Sequence, residues 1–137
     1  MNVVPNLGWG RLVYEGGNDN TNNLPQEVLL RLEEVVIGRE ARPNVHVVFH
    51  APYISSRHLK IGRRPTGEDD DIEGYYVLDL SRNGTFIMDA GTNTPERCVP
   101  NVLRPIHFGD KIVFTFKSEV KAVYMVRYVS APPPPPH

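Results

Sequence analysis

The 137-residue chain has one cysteine, Cys98, which cannot close an internal disulfide, so a reducing, intracellular setting is expected. No apolar run approaches the length of a membrane span, and Met1-Asn2-Val3-Val4-Pro5 has neither the basic start nor the apolar stretch of a signal peptide. A membrane partner is therefore not expected. There is no basic excess either: the formal net charge of −1 argues against a nucleic-acid surface and requires any anion to be met by a local cluster.

The signatures of catalysis are missing too. His46, His50, His58, His107 and His137 show no metal-ligand spacing with Cys98. The chain has no Gly-x-Ser-x-Gly elbow and no glycine-rich turn ending in Lys-Ser/Thr. The acidic run Glu68-Asp69-Asp70-Asp71 lacks the alternating ligands and closing glutamate of a calcium loop, and reads as a solvated surface segment. No catalytic residue, cofactor or metal is expected.

Turn formers are abundant. Thirteen prolines and eleven glycines argue against a helical bundle, while 40% apolar and 23% charged residues fit one globular domain with a real core. Strand patterns occur at 9–14, 45–49, 58–61, 75–80 and 84–88, and residues 111–116 and 120–129 read as a terminal hairpin across Lys117-Ser118-Glu119. Pro25 to Val36 fits a helix through Val28, Leu29, Leu32, Val35 and Val36. It equally fits strands whose phase shifts at Glu33-Glu34, and the strand-rich surroundings favour the strands. Ser81-Arg82-Asn83-Gly84 contains Asn-Gly and reads as a hairpin turn, followed by a long connection through Asp89, Gly91, Pro95 and Pro100. About ten short strands make an all-β sandwich over 9–129, between a lead-in at 1–8 and a proline-rich linker or tail at 130–137.

Three loop-edge pieces concentrate hydrogen-bond donors: Gly38-Arg39, Ser55-Ser56-Arg57-His58 and Ser81-Arg82-Asn83-Gly84. Each alone reads as a turn, a cap or a surface cation. Together they supply guanidinium groups, hydroxyls and a carboxamide, which suit a phosphate and the peptide carrying it.

With Thr85-Phe86 and Phe108-Gly109-Asp110-Lys111-Ile112, these pieces resemble the forkhead-associated (FHA) family over nearly the whole fold. The resemblance implies an FHA-type β-sandwich of about eleven mostly antiparallel strands, with ligand-binding loops at one end and strands rather than a helix at 26–36. It implies a phosphothreonine-peptide-binding module for phosphorylation-dependent protein–protein interaction. Arg39 would pair with the phosphate, Ser55 would add a hydroxyl, and Ser56 and Arg57 would offer further donors. Asn83 would hold ligand backbone amides, with Ser81 and Arg82 lining the groove. Gly38, His58 and Gly84 would support the loops, and Tyr53 is the candidate for ligand selectivity. Where many members have Asn-Gly after Gly-Thr-Phe, this chain has Met88-Asp89-Ala90-Gly91, so that hairpin must close differently.

Trp9-Gly10-Arg11-Leu12 and the insertions at 63–74 and 89–104 resemble, more narrowly, the FHA domain of the checkpoint-kinase group of the DNA-damage response. That resemblance implies nuclear signalling next to a kinase domain. It also implies, as a ligand, a phosphorylated Ser/Thr-Gln segment of a sister chain, although no Ser-Gln or Thr-Gln occurs in these residues. The rival reading is a structural sandwich that binds partners through a sheet face without phosphate.

Overall fold

The computed structural model describes residues 8–17, 24–64 and 74–128, and places eleven strands in two sheets. The first half of the chain forms β1 (Gly10–Gly16), β2 (Glu27–Leu30), β3 (Glu34–Gly38), β4 (Val47–Val48) and β5 (Leu59–Arg64). The second half forms β6 (Gly74–Asp79), β7 (Phe86–Met88), β8 (Glu96–Arg97), β9 (Arg104–Ile106), β10 (Lys111–Phe116) and β11 (Glu119–Arg127). One sheet has the order β2-β1-β11-β10-β7-β8 and the other β4-β3-β5-β6-β9. The β3–β4 pair is parallel and the other ladders are antiparallel.

Residues 25–36 hold β2 and the start of β3, with no helix. The phase shift at Glu33-Glu34 marks the point where the chain leaves one sheet for the other. Val28 and Leu30 enter the core from the six-stranded sheet, and Val35 and Ile37 enter it from the five-stranded sheet.

Two strands lie inside the segment read as a connection. β8 is exposed at both residues and β9 contains Pro105, so neither shows apolar alternation; each exists by pairing, Phe86 with Arg97 and Tyr76 with Pro105. The hairpin reading of Asn83-Gly84 is corrected. β6 and β7 belong to different sheets, so Ser81–Gly84 carries the chain across the sandwich instead of reversing it within one sheet.

The β7–β8 connection, as the departure at Met88–Gly91 required, closes in its own way. Thr92 donates its amide (3.0 Å) and its hydroxyl (2.8 Å) to the Asp89 carbonyl, with Gly91 at φ 85°. The expected lead-in up to residue 7, the loop at 18–23, the acidic run at 68–71 and the tail from 129 lie outside the described residues.

The inner faces meet in one apolar cluster containing Leu12, Leu30, Ile37, Leu59, Ile61, Ile87 and Ile112. Its aromatic centre has Phe49 5.0 Å from Tyr124 and 5.7 Å from Phe114, ring centre to ring centre. His58 packs edge-on against Phe114 at 5.0 Å, so the core reaches up to the loops at this end. Cys98 is buried here, and burial pushes its thiol up to about 11, which keeps it a packing residue.

Candidate functional site

At one end of the sandwich three connections come together: β3–β4 from Arg39, β4–β5 from Phe49 to His58, and β6–β7 from Leu80 to Thr85. Local chemistry fixes each. Gly38 ends β3 where a Cβ would lie 2.0 Å from the Ser56 carbonyl oxygen, so only glycine admits the next loop at this distance. The Arg39 amide then donates to the Ser55 carbonyl at 3.0 Å, and the Phe49 amide to the Gly38 carbonyl at 2.8 Å.

His58 is fully buried beneath this junction. Its amide donates to Ile37 (2.8 Å), its carbonyl accepts from Leu80 (2.9 Å), and its Nδ1 accepts the Ser55 amide (3.1 Å). Burial pushes the imidazole down to about 4, nearby Asp79 and the Gly84 backbone opposing only in part, so the ring is neutral at physiological pH. Through these bonds His58 joins β3, the β4–β5 loop and the start of the β6–β7 loop.

Asp79 is a further organising residue, singled out here by the structure. Its side chain is buried, and Oδ1 accepts from the Ser81 amide (3.0 Å), the Ser81 hydroxyl (2.6 Å) and the buried Thr85 hydroxyl (2.8 Å). Ser81 Oγ in turn accepts the Gly84 amide at 2.8 Å, and Gly84 has φ 96°. An acid with a serine two residues later and a threonine six residues later is the sequence signal for this Asx-type turn. On the opposite rim the Val102 amide donates to the Val99 carbonyl (3.2 Å), with Pro100 second and Asn101 third at φ 62°, a Pro-Asn turn fastened by the Asn101 amide to the Asp79 carbonyl (3.2 Å).

The result is a cleft of about 520 Å³, and Arg39, Ser55, Ser56, Arg57, Ser81, Arg82 and Asn83 all line it. Asp79, Pro52, Ile54, Leu80, Pro100 and Asn101 complete the wall, positions that the sequence did not single out. Ser55 Oγ accepts the Arg82 amide at 3.0 Å, and Asn83 Nδ2 donates to the Tyr53 carbonyl at 3.4 Å. Arg39 is two-fifths exposed and only loosely paired with Glu40, at 3.7 Å. Tyr53 is placed differently from expectation: its ring is 4% exposed and joins the core, so its link to the cleft is its backbone carbonyl. Among the described residues no group of three or more His, Cys, Asp or Glu side chains converges as metal ligands would.

A family model, the FHA domain, matches residues 35–115, more than half of the chain. The chain belongs to the FHA family, and its fold is the family's β-sandwich. The FHA domain of an Arabidopsis thaliana hypothetical protein is similar with a TM-score of 0.61 at 21% identity, covering 96% of each chain. The MEK1 FHA domain in complex with a HOP1 phosphothreonine peptide is similar at TM-score 0.56 and 20% identity, over 88% of this chain and 97% of that one. The FHA domain of human APLF in complex with an XRCC1 bisphospho peptide gives 0.60 and 16%, over 89% and 100%. No curated protein matches the chain by sequence. An FHA domain is a non-catalytic binding module.

Proposed function

We propose that the cleft binds a phosphothreonine-containing segment of a partner protein and so mediates phosphorylation-dependent association. The observation that carries this reading is the convergence of Arg39, Ser55 and Asn83, distant in sequence, on one cleft that also holds Arg57 and Arg82. The Arg39 guanidinium, held only loosely by Glu40, turns its fork to the phosphate, whose charge of about −1.5 to −2 outcompetes a single exposed carboxylate. Ser55 already accepts from the Arg82 amide, so its own proton is left to donate to a phosphate oxygen. The Asn83 carboxamide faces the peptide backbone, and Ser56, Ser81 and the guanidinium groups of Arg57 and Arg82 border it. The MEK1 and APLF domains, each in complex with a phosphopeptide, support a phosphopeptide ligand for this fold.

The narrower checkpoint-kinase resemblance extends the reading to kinase-linked nuclear signalling, with a phosphorylated sister chain among the partners. In this chain Trp9 also has a structural task. Its indole donates to the Leu32 carbonyl at 2.7 Å and its ring stacks on Tyr75 at 4.7 Å.

Fluorescence anisotropy with a degenerate phosphothreonine peptide pool, its unphosphorylated twin and a phosphoserine version tests the reading on wild type and Arg39→Ala. Binding confined to the phosphothreonine pool and weakened at least about tenfold in the variant is the expected result. Equal binding of phosphorylated and plain peptides would leave the phosphate-independent sandwich as the better account.

A further inference from the structure

Arg97 ends β8, the edge strand beside β7, and its guanidinium lies against the Asn83–Gly84 turn. A Cβ at Gly84 would be 2.9 Å from Arg97 Nε, 3.2 Å from Cζ and 3.3 Å from Nη2. Backbone pairing fixes the arginine there: Arg97 is in register with Phe86, and the Cys98 amide donates to the Thr85 carbonyl at 2.8 Å. Gly84 thus leaves room for the guanidinium in addition to meeting the turn's positive φ.

This arginine is exposed and has no ion pair and no side-chain hydrogen bond among the described residues. Arg11, Arg63 and Arg104 are matched, with Glu27 at 3.1 Å, Glu33 at 2.6 Å and Asp89 at 3.0 Å, whereas Arg31 and Arg127, like Arg97, face no carboxylate among the described residues. Arg57 and Arg82 in the cleft are also without carboxylate partners among the described residues. Arg39, Arg57 and Arg82 line the cleft, and Arg97 lies beside it against the Asn83–Gly84 turn, so this end of the fold carries more guanidinium groups than one phosphate can saturate.

We infer that Arg97 is a specificity-determining residue that selects ligands bearing a second anionic group, a carboxylate or another phosphate, in the flank that passes over the Asn83–Gly84 turn. The inference rests on the phosphothreonine reading above. Its backbone is placed by the strand, and its fork accepts a carboxylate or a phosphate with two parallel hydrogen bonds.

The test uses three labelled phosphothreonine peptides of equal length with neutral flanks, Asp/Glu flanks or phosphoserine flanks. Anisotropy titrations compare wild type, Arg97→Gln and Arg97→Lys. Wild type is expected to prefer carboxylate flanks over neutral ones by about threefold, and phosphoserine flanks by about tenfold. Arg97→Gln removes most of that preference while its Kd for the neutral peptide stays within about twofold of wild type, and Arg97→Lys keeps part of it. A larger gain for phosphoserine than for Asp/Glu identifies a second phosphate as the group selected, and equal gains identify a general anion. No flank preference in wild type, or an undiminished preference in Arg97→Gln, overturns the assignment and leaves the phosphothreonine reading intact. Failure of all three phosphopeptides to bind overturns both.

Discussion

The hydroxyl oxygen of Ser55 accepts the backbone amide of Arg82 at 3.0 Å, a bond between the β4–β5 and β6–β7 loops across 27 positions of sequence. It fixes the hydroxyl by its acceptor side, so the rotor's one proton points where a neighbour can use it. A loop within the five-stranded sheet and the loop that crosses from it to the other sheet are thereby set relative to each other before a ligand arrives, and preorganisation of this kind lowers the ordering cost of binding.

Ser55→Ala should therefore separate binding from folding. The orphaned Arg82 amide is exposed, so water replaces its partner and stability falls by less than about 1 kcal/mol. Affinity for a phosphothreonine peptide falls by about tenfold, since a charge-assisted hydrogen bond is lost. Urea unfolding beside anisotropy reads both quantities, and a large stability loss with unchanged affinity would assign Ser55 to architecture alone.

His58 gives the fold a pH signature. Its pKa is 6.5 when unperturbed and about 4 in the fold, because burial disfavours the imidazolium. The unfolded chain binds the extra proton first. The stabilisation is complete above about pH 6.5, declines as pH falls toward 4, and amounts to about 3 kcal/mol at most. Protonation also turns Nδ1, which accepts the Ser55 amide, into a donor facing a donor. His58→Gln should flatten the urea midpoint between pH 6.5 and 4 relative to wild type. An unchanged slope would mean that other groups carry it.

The strands with apolar alternation, and the donors on their loops, were legible in the sequence. Arg39, Ser55 and Asn83 each read alone as a surface cation or a turn residue; only the joint pattern of their loops pointed to one place, and the structure brings all three to one cleft. Asn83-Gly84 misled on topology: the pair suits a positive φ at Gly84, and a turn that crosses between sheets needs that as much as a hairpin does. The true two-residue hairpin turn is Lys117-Ser118, which has neither asparagine nor glycine. β8, β9 and the Pro100–Asn101 wall were hidden because pairing partners define them, and composition does not. The burial of Tyr53 was not legible, because a position near the cleft says nothing about which way a ring turns.

Asp79 should behave as a keystone for the β6–β7 loop. In Asp79→Ala the Ser81 amide, the Ser81 hydroxyl and the fully buried Thr85 hydroxyl lose their shared acceptor, a cost of about 3 kcal/mol or more. Asp79→Asn keeps one carboxamide oxygen for the same donors and should lose less than half as much. Peptide affinity should follow the same order, because Ser81 and Asn83 take their positions from this loop. Equal losses in the two variants would show that the negative charge, not the acceptor, holds the turn.

The β10–β11 hairpin carries strain that can be relieved. Phe116 pairs with Glu119, leaving Lys117 and Ser118 as a two-residue loop at φ 51° and 65°. Both positive φ values fit a type I′ turn, which Asn-Gly satisfies and β-carbon-bearing residues other than Asn and Asp fill at a cost of roughly 1 kcal/mol or more each. Replacing the pair, Lys117→Asn with Ser118→Gly, removes that cost. It gives up the contact of Lys117 with the Phe116 ring at 5.3 Å, worth about 0.5 kcal/mol where exposed, and the added glycine loosens the unfolded chain. A net gain of about 1 kcal/mol in urea unfolding is expected, with peptide affinity unchanged because neither residue lines the cleft. A net loss would show that the strand twist already accommodates Lys117 and Ser118 without strain.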